Sequence, residues 1–250
     1  MAPDIQVSNH LALPGGRGTS RVNMRIMYSL LNRHLDALLA SIEKDGGITD
    51  YKYLIKEFRN TNVSRDDKFQ RIYRSYWQMG AARLCDSFCK AHFEHLEELK
   101  AFDRVDLERI AVRLYSVPAN SRGDRKLHFS FSTKMAHMLQ PNWPVYDSLV
   151  GKFYFLPEEE GTFDERLKSL LSSHGFLVAE YERVTREGLL VPAIDAFRAR
   201  LDLDGTLTEV KIIDTLIWRF AAMLNSGRIE ERNYPLQLIS FALTGASADS

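Results

Sequence analysis

Apolar side chains recur every three or four residues through almost every segment of this chain, and no segment shows the alternation of a half-buried strand. From about Asn23 to Lys44 the series is Ile26, Met27, Leu30, Leu31, Leu35, Leu38, Leu39 and Ile42. That spacing predicts one long helix, stopped by Gly46-Gly47. A second stretch starts near Ser64, where Asp66 and Asp67 suit a helix N-terminus. It carries Phe69, Ile72, Tyr73, Tyr76, Trp77, Ala81, Leu84 and Phe88, with Gly80 as a candidate break. Another helix is expected over Val105 to Tyr115, ended by Pro118, and further ones near 163–173, 176–187, 191–201, 209–225 and 234–243. Residues 1–20, with Pro3, Pro14 and Gly15-Gly16, read as an irregular arm, and residues 245–250 as a frayed tail. The expected fold is therefore all-α, one helical domain over residues 21–244 with room for two lobes around a shared core.

Composition narrows the class. Of 250 residues, 45% are hydrophobic and 26% charged, which is globular rather than disordered composition. No run approaches the ~18 consecutive apolar residues of a membrane span, and the N-terminus lacks the layout of a secretory signal. Cys85 and Cys89 lie on one helical face and form no disulfide framework, so reduced thiols in a cytoplasmic protein are expected. Formal net charge is zero. The total does not by itself favour nucleic acid, and a DNA-binding reading requires charge segregated to one side.

The informative segment is His128-Phe129-Ser130-Phe131-Ser132-Thr133-Lys134-Met135-Ala136-His137-Met138-Leu139, followed by Pro141 and by Pro144-Val145-Tyr146-Asp147-Ser148. It reads as a loop, a short helix capped by Ser132 or Thr133 with Lys134 in its first turn, a proline-bounded turn holding Trp143, then an aspartate opening a helix. A lysine followed closely by Pro-Val-Tyr-Asp resembles the active-site region of helix-hairpin-helix DNA glycosylases, most of all the 8-oxoguanine glycosylase branch and its bacterial relatives. The resemblance covers about twenty to thirty residues. It departs from the family where Phe129-Ser130-Phe131-Ser132 replaces a glycine-rich hairpin turn, where the lysine and aspartate stand closer, and where Tyr146 is inserted.

The resemblance implies two helical lobes flanking a cleft, with Lys134 on the family lysine and Asp147 on the family aspartate. It implies excision of a damaged or modified base from duplex DNA, with no cofactor or metal, by a protein expected to be monomeric. The chemistry suits those side chains. A carboxylate stabilises positive charge developing on deoxyribose, and a neutral lysine amine can attack C1′ to form a Schiff base. Trp143, Tyr146 and His137 are candidates for the base pocket. Arg122, Arg125, Lys126, Ser132 and Thr133 are candidates for the DNA backbone. Blander roles stay open: Asp147 as a helix cap, Trp143 and Tyr146 as core aromatics, Lys134 as a solvated helix residue.

Other signals carry less. Asp202-Leu203-Asp204-Gly205-Thr206 has the spelling of a phosphatase nucleophile motif but follows a helical stretch, and is expected to be a turn. Cys85, Cys89, His92 and His95 share one helical segment, whereas a closed zinc site draws ligands from more than one. Two rival functions remain. One is a non-catalytic DNA-binding protein; the other is a protein-interaction module presenting Tyr73, Tyr76 and Trp77 to a partner.

Overall fold

The structure, a computed structural model, describes residues 24–102, 104–157 and 160–229. The expected arm over residues 1–20, the helix near 234–243 and the tail over 245–250 lie outside the described residues. Among the described residues the chain is all-helical, with eleven α-helices and no strand. They are α1 (Met24–Arg33), α2 (Leu35–Asp45), α3 (Gly47–Phe58), α4 (Asp67–Tyr76), α5 (Asp86–Leu99), α6 (Leu107–Ser116), α7 (Phe129–Leu139), α8 (Ser148–Phe153), α9 (Phe163–Arg186), α10 (Val191–Leu201) and α11 (Glu209–Asn225). A 3-10 turn, Met79–Ala82, separates α4 from α5.

Local chemistry explains many of the boundaries. Asp66, Asp106 and Thr208 each accept a hydrogen bond from the backbone N–H three residues on, at the starts of α4, α6 and α11. Thr162 and Glu165 close a reciprocal capping box at α9. Gly46 ends α2 with φ of +67°, a conformation that costs any other residue more.

The helix expected over Asn23 to Lys44 divides at His34, which leaves helical geometry with φ −97° and ψ 14°. Gly46-Gly47 punctuates rather than opens a loop, because α3 starts at once. Its buried Ile48, Tyr51, Leu54 and Phe58 follow the three-and-four spacing that went unread in this segment. The two segments expected over 163–173 and 176–187 form the single helix α9.

Two helices are enclosed on nearly every side, and they organise the rest. α11 buries Ile212, Ile213, Leu216, Ile217, Phe220 and Ala221 and packs against α1, α2, α8, α9 and α10. α7 buries every residue from Phe131 to Met138, polar ones included, and pairs with α6. A polar group inside such a helix requires a partner supplied by tertiary structure. Those partners build the site.

Candidate functional site

The segment after α7 is fixed at nearly every residue. His137, fully enclosed, donates from Nδ1 to the Trp143 carbonyl at 2.7 Å while its Nε2 accepts from the Tyr51 hydroxyl at 2.7 Å. His174 donates to the Pro144 carbonyl at 3.0 Å, and the Val145 N–H donates to Asp214 at 3.3 Å. The Thr133 hydroxyl accepts from the Tyr146 N–H at 3.1 Å and lies as close to the Tyr146 carbonyl. Thr208 holds the Pro141 carbonyl at 2.9 Å. This strapping delivers Asp147 to the start of α8, where Oδ1 accepts from the N–H groups of Leu149 and Val150 at 2.9 and 3.0 Å. Asp147 is thus a helix cap. It is also a wall of a cavity.

Two adjoining cavities meet at this point. The inner one has a volume of about 230 Å³ and the outer one about 480 Å³, and both are lined by Trp77, Gln78, Lys134, Asp147 and Trp218. Gln78 stands at their shared lip with φ of +54°, a left-handed backbone uncommon for a side-chain-bearing residue. The inner cavity adds Tyr76, Lys211, Asp214 and Arg219, with Arg219 paired to Asp45. The outer one adds His128, Phe129, Ser130, Tyr146 and Arg166.

Lys134 is 8% exposed. Its single hydrogen bond among the described residues goes to the Trp77 carbonyl at 3.2 Å rather than to a carboxylate. The amine lies 5.1 Å from the Phe131 ring centroid and 5.7 Å from that of Trp77. Burial lowers its pKa below the ordinary lysine value and Lys211 pushes the same way, against the opposing pull of Asp147 and Asp214. Burial raises the Asp147 carboxyl, while the Lys134 charge and hydrogen bonds from the Val150 N–H and the Trp218 indole counter it. An amine biased toward neutrality and a carboxyl at a helix N-terminus therefore face one space. Such a pair can attack an electrophilic carbon and stabilise the charge that develops there.

Several sequence-derived assignments move. Ser132 and Thr133 are fully enclosed in the body of α7, which begins at Phe129, so they do not meet a DNA backbone. Lys134 accordingly sits in mid-helix, not in a first turn, and the first turn of α7, with Phe129 and Ser130, lies at the outer cavity. Trp143 lines neither cavity and packs against His174, at 5.6 Å between ring centroids. His137 is behind the wall as a strut. Tyr146 does line the outer cavity, with its ring against Phe129 and Gly151. Arg122, Arg125 and Lys126 are exposed on the loop leading to His128 at the outer cavity.

No protein-family model, curated protein or solved structure matches the chain.

Sequence reasoning missed Trp77, Trp218, Lys211 and Asp214 as site residues. One signal was present: Lys211, Asp214 and Trp218 fall at i, i+3 and i+7 of α11, which places them on one stripe of a helix. Tyr73 and Trp77 are buried, and Tyr76 lines the inner cavity, so these rings do not form the exposed patch of an interaction module. The Asp202–Thr206 segment is a turn, with Asp202 and Asp204 both paired to Lys52. Among the described residues no group of three or more His, Cys, Asp or Glu could hold a metal ion, and no helix is long and apolar enough to cross a membrane.

Proposed function

We propose that this chain is a DNA glycosylase that removes a damaged or modified base through a Schiff-base intermediate on Lys134. The observation that carries the reading is the buried Lys134 amine, without an ion pair among the described residues, in the wall it shares with Asp147. A lysine kept for solubility or for a salt bridge has no reason to sit there, because desolvating the ammonium is costly. A nucleophilic lysine requires such a site.

The chemistry follows from the arrangement. With the target nucleotide turned out of the duplex, its base enters the cavity lined by Trp77 and Trp218. The Lys134 lone pair forms a bond to C1′ as the glycosidic bond breaks, and the bonding pair leaves with the base, which takes up a proton. Asp147 stabilises the positive charge on the sugar as the bond lengthens. Opening of the C1′–O4′ bond gives the iminium. Loss of a 2′ proton then expels the 3′ phosphate, so β-lyase activity accompanies base removal. Arg122, Arg125 and Lys126 supply exposed positive charge beside the outer cavity for the phosphates. In this reading the joined cavities take the part of the cleft between lobes, while Phe129-Ser130-Phe131-Ser132, expected at the hairpin turn, open α7 instead.

Borohydride trapping on labelled duplexes that each carry one modified base tests the proposal. An adduct is expected with the wild type and none with Lys134→Ala. Asp147→Asn is expected to slow base release by about 10²–10³-fold. Abasic sites without an adduct would replace the lysine mechanism with a water-dependent one led by Asp147. DNA binding with neither product across the set would sink catalysis in favour of a non-enzymatic binder.

A further inference from the structure

The second lysine of the inner cavity has an environment unlike that of Lys134. Lys211 is fully enclosed on α11, yet its amine pairs with Asp214 at 3.1 Å and lies 4.9, 5.5 and 5.0 Å from the ring centroids of Tyr51, Tyr76 and Trp77. Asp214 is itself held, by the Val145 N–H and by the Tyr181 hydroxyl at 3.4 Å. A carboxylate and three ring faces retain the Lys211 charge despite burial. Lys134 has two rings and a carbonyl oxygen. Both amines lie near the same Trp77 ring, which places them within about 11 Å of each other.

We propose that Lys211 is a positioning residue whose fixed positive charge, locked in by Asp214 and the ring cage, increases the share of the Lys134 amine that is unprotonated and able to attack. The charged and titratable groups around Lys134 set the terms. Asp147 at the start of α8 and Asp214 on α11 favour the ammonium, whereas Lys211 on α11 opposes it. His92 on α5 and His137 on α7 are buried and neutral, and Tyr76 on α4 stays protonated. Asp45, Asp50 and Arg219 line the inner cavity, and His128 and Arg166 line the outer one. Lys211 is thus the neighbouring cation that stands against the two carboxylates. One unit charge at about 11 Å, in surroundings of effective dielectric about 20, displaces a titration by about one pH unit.

The role of a neutral Lys134 rests on the glycosylase reading, but its protonation does not, so the test uses two readouts. Competitive acetylation of Lys134 by acetic anhydride, followed by peptide mass spectrometry from pH 6 to 11, reports its titration without DNA. Borohydride trapping on an abasic duplex over the same range reports attack on the sugar. The wild-type midpoint is expected below that of an ordinary lysine. In Lys211→Met it should rise by about one unit, with trapping at pH 7 reduced about tenfold and restored by one unit of added pH. Lys211→Arg, which keeps the charge, should behave as wild type. A packing role would instead make both variants defective at every pH. A wild-type midpoint at the ordinary lysine value overturns the proposal without any variant, as does an unchanged midpoint in a folded Lys211→Met. Shifted acetylation with no adduct on any duplex supports the lysine pairing and refutes the Schiff-base role of Lys134.

Discussion

Consider lowering the pH from 7 to 5. His92 and His137 are completely enclosed, and burial pushes the pKa of each down to about 3. In the unfolded chain each returns to an ordinary value near 6.5. Below that value the unfolded chain binds two protons that the folded protein refuses. Their contribution is therefore fully present above about pH 6.5 and is lost as pH falls from there toward 3. At pH 5 each histidine lies about 1.5 units below its unfolded pKa, which is about 2 kcal/mol per residue and about 4 kcal/mol for the pair. His95, 3% exposed and pushed down to about 4, acts in the same direction. Asp147 opposes them, since a raised carboxyl in the folded state gains relative stability as pH falls. Against a total stability of roughly 5–15 kcal/mol, the histidine loss dominates. Urea unfolding followed by far-UV circular dichroism should show the midpoint falling sharply between pH 7 and pH 5. In His92→Gln, which retains a group able to bond the Tyr73 hydroxyl, the drop should shrink by about 2 kcal/mol. Equal stability at the two pH values, or an unaltered drop in the variant, would refute the reasoning.

Two further outcomes concern the framework that holds the site. Glu180, buried on α9, accepts from Tyr28 at 2.6 Å and from Arg183 at 2.8 and 2.7 Å, so Glu180→Ala leaves Arg183 with Glu187 alone and Tyr28 with the Tyr154 hydroxyl alone. A loss of about 1–3 kcal/mol is expected by urea unfolding, with Glu180→Gln milder. Thr133→Val keeps the side-chain shape but removes the hydroxyl that clips Tyr146 to α7. It should cost about 1–3 kcal/mol in the same assay, and a stability equal to wild type would show the clip to be dispensable.

Much of this molecule was legible locally. Three-and-four spacing and the absence of alternation specify an all-helical chain, and Asp66 marks the helix start where its side chain now caps one. The Lys134 and Pro-Val-Tyr-Asp elements pointed to two side chains that the structure places in one cavity wall. The surroundings of that pair were not legible. Trp77 arrives from the end of α4, Lys211 and Trp218 from α11 and Tyr51 from α3, and no local pattern records which helices will meet. The same limit misplaced the start of α7. Ser132 and Thr133 look like caps because short polar side chains favour helix ends in water, yet both are enclosed and Thr133 finds its partner in Tyr146. Helix formation follows from the chemistry of neighbours along the chain. Whether a lysine ends up solvated or desolvated between aromatic rings depends on long-range packing, and only the tertiary structure decides it.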